Sequence, residues 1–439
     1  MVRRRIARTL PTLAIAGLVL AGCGGGSATP DAAAPTASGS AASAPNPNAV
    51  PATAVGMQIE GAEVEAWSSA PFGALRLWDN GTAWSQIELA KGEFKWDNLD
   101  GVLANAKAKG MTDIMMVLGT TPEWAAKDGA VDKGVKDYPQ PGAASAPKSI
   151  TDWTDWVTAV VTRYKGQITS YEIWNEANLK NFYNGTPEEL AELTKTAYDI
   201  IKKIDPEAKV VAASPALRLD ARFTDFYPAY LKALAAKGWP IDVLTLHSYP
   251  DGQGNPATRG ALIKKFTDAV TAAGAPADIP LWDTELNYGL PGPGDTPGAD
   301  ITGPAAAGWI VRTYLDNLRN GIERGYWYIW TQKPGGNTGA VKGIQAYPGS
   351  DAEQGFFAID NWLIGSEFGG CTESGSAVTC TVSRDGQQSV IAWAETGTVP
   401  FSAPAGSQLV CDPLASCQEI GEGTQITLTE VPVRIYLQA

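Results

Sequence analysis

The chain has 439 residues, with 34 lysines and arginines against 47 aspartates and glutamates and a formal charge of −13. That length exceeds one ordinary core, and the sign of the charge excludes a nucleic acid or an anionic membrane face held by charge. One histidine, His247, and five cysteines, Cys23, Cys371, Cys380, Cys411 and Cys417, exclude a multi-histidine zinc site or a triad needing a second histidine. Chemistry therefore falls to carboxylates, with no metal and no cofactor expected, and with a neutral partner.

The first 22 residues combine a basic start, an apolar run from about Leu10 to Leu20 and small residues before Cys23. This is the layout of a secretory signal, and the run is too short for a comfortable membrane span. LAGC at 20–23 resembles the bacterial lipoprotein box, which implies that Cys23 is lipidated; a plain signal peptide is the alternative, and Sec and Tat export are not separable. Residues 23–53, nearly all Gly, Ala, Ser, Thr, Pro and Asn, have too little apolar bulk to order and read as a flexible tether. The expected location is extracytoplasmic, as a bacterial cell-membrane lipoprotein or a secreted protein. Membrane contact is expected only through the lipid, and the chain is expected to be a monomer.

From 54 to 368, short apolar runs alternate with longer amphipathic ones. Strands are predicted at 55–61, 73–78, 113–119, 170–176, 209–214, 242–249, 280–285 and 325–331. Helices are predicted near Asn98–Lys109, Thr151–Tyr164, Arg259–Ala273, Pro304–Asn320 and Asp351–Ile364, and one begins at Thr186, where TPEE forms a capping box with proline at its first position. Little helix signal separates the first two strands. Eight strands with crossover helices predict an α/β fold, a (β/α)8 TIM barrel, with a doubly wound sheet as the rival. The connections entering strands are short and those leaving strands seven and eight are long and rich in Gly and Pro, which favours the barrel and its C-terminal rim as the site.

From 369 to 439 the pattern turns to alternating, β-branched runs, which predict a small C-terminal antiparallel β domain, sandwich-like. Its four cysteines allow three connectivities in an oxidising location, and the local pairing, Cys371 with Cys380 and Cys411 with Cys417, is the expected one.

YEIWNEAN at 171–178 ends the fourth strand on Glu176, and LWDTELN at 281–287 ends the seventh on Glu285. A closed barrel carries both onto one rim. Two facing carboxylates suit glycosidic bond cleavage, which needs neither metal nor histidine base. These motifs, with RLWD, KVVAASPAL, LHSYP and YWYIWTQ, resemble glycoside hydrolase clan A, and family 39 and its neighbours within it, over roughly 55–368. The resemblance implies a retaining enzyme with Glu176 as acid/base, Glu285 as nucleophile and Asn175 on the sugar 2-hydroxyl. It further implies Arg76 and Tyr249 beside Glu285, and Trp330 as a sugar platform; His247 shares the inward parity of Val243, Thr245 and Tyr249 and is expected to line the pocket. Ala177 and Trp78 stand where family 39 often has proline and histidine.

Trp124 and Trp282 are further substrate-binding candidates, being tryptophans near strand ends. Plainer readings stand beside these: Glu176 and Glu285 as rim salt bridges, Arg76 as a partner of Glu172, His247 as an interior histidine, and Asp283 as the reacting carboxylate, since it shares the strand parity of Glu285. The expected activity is retaining hydrolysis of an extracellular or cell-envelope polysaccharide or oligosaccharide. A transglycosylase using the same site and a non-catalytic carbohydrate-binding lipoprotein are the alternatives.

Overall fold

The computed structural model describes residues 46–63, 67, 70–127, 137–291, 297–336 and 342–438. The predicted signal and Cys23 lie outside these, and 46–438 belong to one compact unit. Residues 46–53, expected as the last part of the tether, are built into that unit: Val50 is buried, and its N–H bonds the Ser366 carbonyl at 2.9 Å. No helix among the described residues is long and apolar enough to cross a membrane.

Eight parallel strands form the barrel: β1 (Val55–Ile59), β2 (Ala74–Leu77), β3 (Ile114–Val117), β4 (Ser170–Glu172), β5 (Lys209–Val211), β6 (Leu244–His247), β7 (Leu281–Leu286) and β8 (Ile322–Trp330). They pair in the order β5-β4-β3-β2-β1-β8-β7-β6. A bridge from Val211 to Val243, with the Ala212 N–H on the Val243 carbonyl at 2.9 Å, joins the two ends of that order. All eight predicted strands are found; the first six are shorter than the apolar runs, because the ladder stops where the rim loops begin, whereas β7 is shifted by one residue and β8 begins three residues earlier.

The helices longer than one turn are α1 (Asp97–Ala108), α2 (Ile150–Arg163), α3 (Pro187–Ile204), α4 (Asp220–Ala236), α5 (Pro256–Ala272), α6 (Gly303–Arg319) and α7 (Asp351–Trp362). In α3 the Thr186 hydroxyl accepts the Glu189 N–H at 3.1 Å and the Glu189 carboxylate accepts the Thr186 N–H at 2.9 Å, the predicted reciprocal cap. Helix α4 has no counterpart among the predicted helices. It carries Pro228 in its interior and no side-chain cap at Leu219, so the usual start and continuity signals are missing. No helix is found among the described residues between β1 and β2.

The lower barrel is filled by side chains. Ala74, Met115, Val211, Val243, Trp282 and Tyr326 form one apolar layer, with the Tyr326 ring lying where a Cβ on Gly56 would be 2.3 Å from it. Any larger residue at 56 would displace that ring. Above this layer the lining turns polar, which prepares the site.

Beyond the barrel lie β9 (Glu367–Ser374), β10 (Ala377–Arg384), β11 (Gln387–Ala394), β12 (Val399–Ser402), β13 (Ser407–Cys411), β14 (Cys417–Glu419), β15 (Gln425–Leu428) and β16 (Val433–Leu437). One sheet runs β9-β10-β11-β16-β13-β14 and a second pairs β12 with β15, all antiparallel, around a small core that includes Val390, Leu428 and Ile435. Cys371–Cys380 ties β9 to β10 and Cys411–Cys417 ties β13 to β14, the local pairing. The sheets dock on α6, where Val431 fills the space that a Cβ at Gly308 would need and Arg312 reaches Glu395 at 2.9 Å.

Candidate active site

Glu285 lies in β7 and Glu176 lies four residues past the end of β4, both at the C-terminal rim. One ligand atom from each of Glu176, His247 and Glu285 lies within 4.8 Å of the others. A separation of about 5 Å between carboxylates is the spacing of retaining glycosidases, whereas inverting ones leave roughly 6.5–9.5 Å for a water.

Arg76 organises the floor beneath the pair. Its Nε and Nη2 bond Glu172 at 2.7 and 3.0 Å, its Nη1 bonds Glu285 Oε1 at 2.6 Å, and Nη2 also reaches Asn175 Oδ1 at 2.7 Å. The two readings of Arg76 are therefore both realised, since one guanidinium serves Glu172 and Glu285 together. Burial would lower the pKa of this guanidinium, but the charges of Glu172 and Glu285 outweigh burial and hold it above its usual value. Tyr249 donates to Glu285 Oε2 at 2.9 Å.

Burial pushes the Glu285 carboxyl above the ordinary glutamate value, against the opposing pull of His247 and Arg76 and with help from the Glu176 charge. His247 lies between the two carboxylates, its Nδ1 3.1 Å from Glu176 and 3.5 Å from Glu285, while Nε2 meets the Thr284 hydroxyl at 3.1 Å. Burial would depress the imidazolium, but the two carboxylates hold it above the usual histidine value. This trio also has the spacing to ligate a cation, yet Arg76 already bonds Glu285 at 2.6 Å, and a metal ion would bind against that charge.

The backbone at Glu176 is in the left-handed region, at φ 42°. Such a conformation costs a non-glycine residue about 1–3 kcal/mol and persists where surroundings over-determine it. Here the Glu176 N–H meets the Ser214 hydroxyl at 3.2 Å, the Ala177 N–H bonds the Ser214 carbonyl at 3.1 Å, and Asn178 exchanges two bonds with Ala216. The β4 and β5 ends are laced together and aim Glu176 into the cleft.

That cleft has a volume of about 540 Å³ and receives Asn175, Glu176, Tyr249 and Glu285. His247 and Arg76 are fully buried beneath it. Asp283 does not join them. The β6–β7 register shifts between Leu246 and His247, so that Thr284 is an extra residue in β7 and the parity reverses. Asp283 faces the helix layer, bonded to Arg259 of α5 at 2.7 Å, while Glu285 faces inward.

Three tryptophans expected at the site are elsewhere. Trp282 belongs to the apolar layer inside the lower barrel, on the other side of the same bulge. Trp330 is fully buried in the main core, because the inward positions near the end of β8 go to Tyr328 and Ile329. Trp124 packs edge-on to Trp84 and donates to the Glu88 carbonyl at 2.8 Å, beside a separate hollow.

The aromatic wall is instead made by Trp78, Tyr138 and Phe182, whose ring centroids lie 5.8–5.9 Å apart. Asp79 accepts from Tyr138 at 2.6 Å and from Tyr328 at 2.7 Å within the same cleft, and Arg218 lines it as well. Trp78 and Asp79 directly follow β2, a rim position that sequence alone could have flagged; Tyr138 and Phe182 lie in long loops, where no periodicity places them.

The family model for glycosyl hydrolase family 10 matches residues 48–277. A β-xylosidase from Caldicellulosiruptor saccharolyticus is 29% identical over 260 residues, which are 54% of this chain and 48% of that protein, so the chain spans about half the length of this curated relative. Among solved structures, a family 39 glycoside hydrolase from Bacteroides cellulosilyticus WH2 superposes with a TM-score of 0.64 at 16% identity, covering 88% of this chain and 81% of the other. A family 30 endoxylanase from Clostridium papyrosolvens C71 gives 0.54 at 14% identity, covering 88% and 96%. The resemblance to clan A is borne out. Within the clan, family 39 enters as a neighbour in fold, and the matched model, spanning just over half of the sequence, shows that the chain belongs to glycosyl hydrolase family 10.

Proposed function

We propose that the protein is a retaining glycosidase acting on a β-linked xylose-containing glycan, with Glu285 as nucleophile and Glu176 as acid/base. The observation that carries this reading is the carboxylate pair, within 4.8 Å at the rim of an open cleft, with Arg76 bonded to only one of its members. The xylose preference rests on the β-xylosidase relative, of which the chain spans about half.

In the first step Glu285 attacks the anomeric carbon while Glu176 gives its proton to the departing glycosidic oxygen, leaving a glycosyl ester on Glu285 and a free aglycone. In the second step Glu176, now a carboxylate, takes a proton from water, and that water displaces Glu285. Arg76 and Tyr249 engage the two oxygens of Glu285, which favours its ionised form before attack and stabilises the carboxylate when it leaves. Asn175, held by Arg76, is placed for the 2-hydroxyl of the reacting sugar. Trp78, Tyr138 and Phe182 offer ring faces to its C–H bonds.

A 2-deoxy-2-fluoro xyloside with an activated leaving group should trap the ester on Glu285. Peptide mapping that finds the label on another residue overturns the assignment. We also propose export as a lipoprotein anchored through Cys23, a reading supported by LAGC at 20–23 and two disulfides. Incorporation of a clickable palmitate analogue in the bacterial host, lost in Cys23→Ser, tests it.

A further inference from the structure

Most arginines near the core of this protein meet a carboxylate: Arg76, Arg259, Arg312, Arg319 and Arg324 each do so. Arg218 does not. It is half-buried, its guanidinium stands 5.3 Å from the centroid of the Tyr249 ring, and its one hydrogen bond among the described residues is a long contact of 3.4 Å from Nη1 to the Leu290 carbonyl. A guanidinium is always charged and presents five N–H donors in one plane, so most of its capacity is unspent; Arg218 lines the cleft and also a neighbouring hollow beside Asp220 and Asp251, without an ion pair to either.

The lacing of β4 to β5 says which part of a substrate it faces. Glu176 is held by Ser214, and Asn178 by Ala216, so the proton donor leans over the β5 loop, and Arg218 follows two residues after Ala216. The sugar that receives the proton, the leaving group, is on that side. Across the ring, the loops after β1 and β2 bring Glu60 and Asp79 to the cleft. The cleft is therefore polarised, with acidic groups on one wall and Arg218 on the other. Lys342, also on the lining, is already engaged with Asp300 at 2.9 Å.

We propose that Arg218 binds a carboxylate on the leaving-group side of the substrate, so that the preferred glycan carries a uronic acid there. This rests on the retaining-glycosidase reading. The planar fork of the guanidinium matches a carboxylate in two parallel hydrogen bonds, and its packing on Tyr249 sets the plane. A neutral sugar at the same place would leave those donors to water.

The test compares a uronic-acid-substituted xylo-oligosaccharide with its methyl ester, which keeps the shape and loses the charge. Wild-type kcat/KM should favour the acid by about 10- to 100-fold, the range for a hydrogen-bonded charge. That ratio should fall to near unity in Arg218→Gln and to an intermediate value in Arg218→Lys, which keeps the charge without the fork. Titration calorimetry of both ligands against the Glu176→Gln variant, with and without Arg218→Gln, reads recognition without turnover. Equal cleavage of acid and ester by wild type, or a ratio unmoved in Arg218→Gln, overturns the inference and leaves the glycosidase reading standing. Binding of the acid that depends on Arg218, with neither compound cleaved by wild type, supports the carboxylate contact at Arg218 but sinks the glycosidase reading and, with it, the assignment of that contact to the leaving-group side.

Discussion

Arg76 carries the sharpest prediction, because one buried cation serves two carboxylates with different duties. Replacing it with methionine strands Glu172 and Glu285 without their partner, and removing one member of a buried pair costs about 3–5 kcal/mol. Urea denaturation should show that loss. The activity effect has a definite sign. Glu285 attacks as a carboxylate, its pKa is already raised by burial, and Arg76 is one of the groups opposing that rise. Removing Arg76 lifts the pKa further, so the acid limb of kcat/KM moves to higher pH. Two charges about 4 Å apart interact by roughly 4 kcal/mol at an effective dielectric of 20, or about three pH units, as an upper bound. Relaxation of the site takes back part of this upper bound, so a rise of about one unit or more is expected. Glu172→Gln should do the opposite, since the Arg76 charge then falls wholly to Glu285 and the acid limb moves to lower pH. The assay is a pH profile of kcat/KM on an aryl xyloside with a good leaving group, so that the first step, which that parameter reports, makes no demand on Glu176 as an acid. An acid limb unmoved in folded Arg76→Met, or moved the same way in both variants, would refute the proposed electrostatics.

Glu176→Ala should lower kcat/KM by about 10²–10⁴-fold for substrates with poor leaving groups and spare it for activated aryl glycosides, whose slowed second step azide should rescue as a β-glycosyl azide; equal loss of kcat/KM on both classes counts against an acid role. Tyr249→Phe removes a donor from Glu285 and should lower kcat on the aryl xyloside by about tenfold, and an unchanged kcat would mean that the hydroxyl is idle. Trp330→Ala should cost about 3–5 kcal/mol in a urea titration with KM unchanged, as for a core side chain; a raised KM at unchanged stability would restore it as a sugar platform. Reducing the disulfides, which close local loops of separation 9 and 6, should destabilise the C-terminal sheets by about 2–3 kcal/mol each on the loop-entropy account, without altering kcat.

The barrel was legible because its signal is redundant. Eight short apolar runs, long connections on one rim and a capping box at Thr186 all point to the same alternation, so a missing helix signal between β1 and β2 and an interrupted one at Pro228 did not obscure the topology. The carboxylates, Arg76, Asn175, His247 and Tyr249 were legible because they sit in or next to strands, where position along the strand sets direction. The tryptophans were not. A large ring at a strand end satisfies the barrel core as well as it satisfies a sugar, and only packing decides. Trp330 and Trp282 went to the core, whereas Trp78, standing where a histidine is common in family 39, took the wall. Tyr138, Phe182 and Arg218 come from irregular loops whose paths are set by contacts distant in sequence.

The choice between Asp283 and Glu285 shows how far parity can be pushed. In a regular strand residues two apart share a face, so both acids would point inward or both outward. Inserting Thr284 against the β6 register resolves this: Trp282 enters the apolar layer below, Asp283 turns outward to Arg259, and Thr284 and Glu285 both turn inward, one to His247 and one to Arg76. The bulge thus supplies two adjacent inward side chains where a flat strand could supply one. The sequence signature of such a bulge is weak, because it needs neither glycine nor proline. Its chemical consequence is large, since it separates a structural ion pair facing the helices from the carboxylate that faces substrate, although the two acids are only two residues apart.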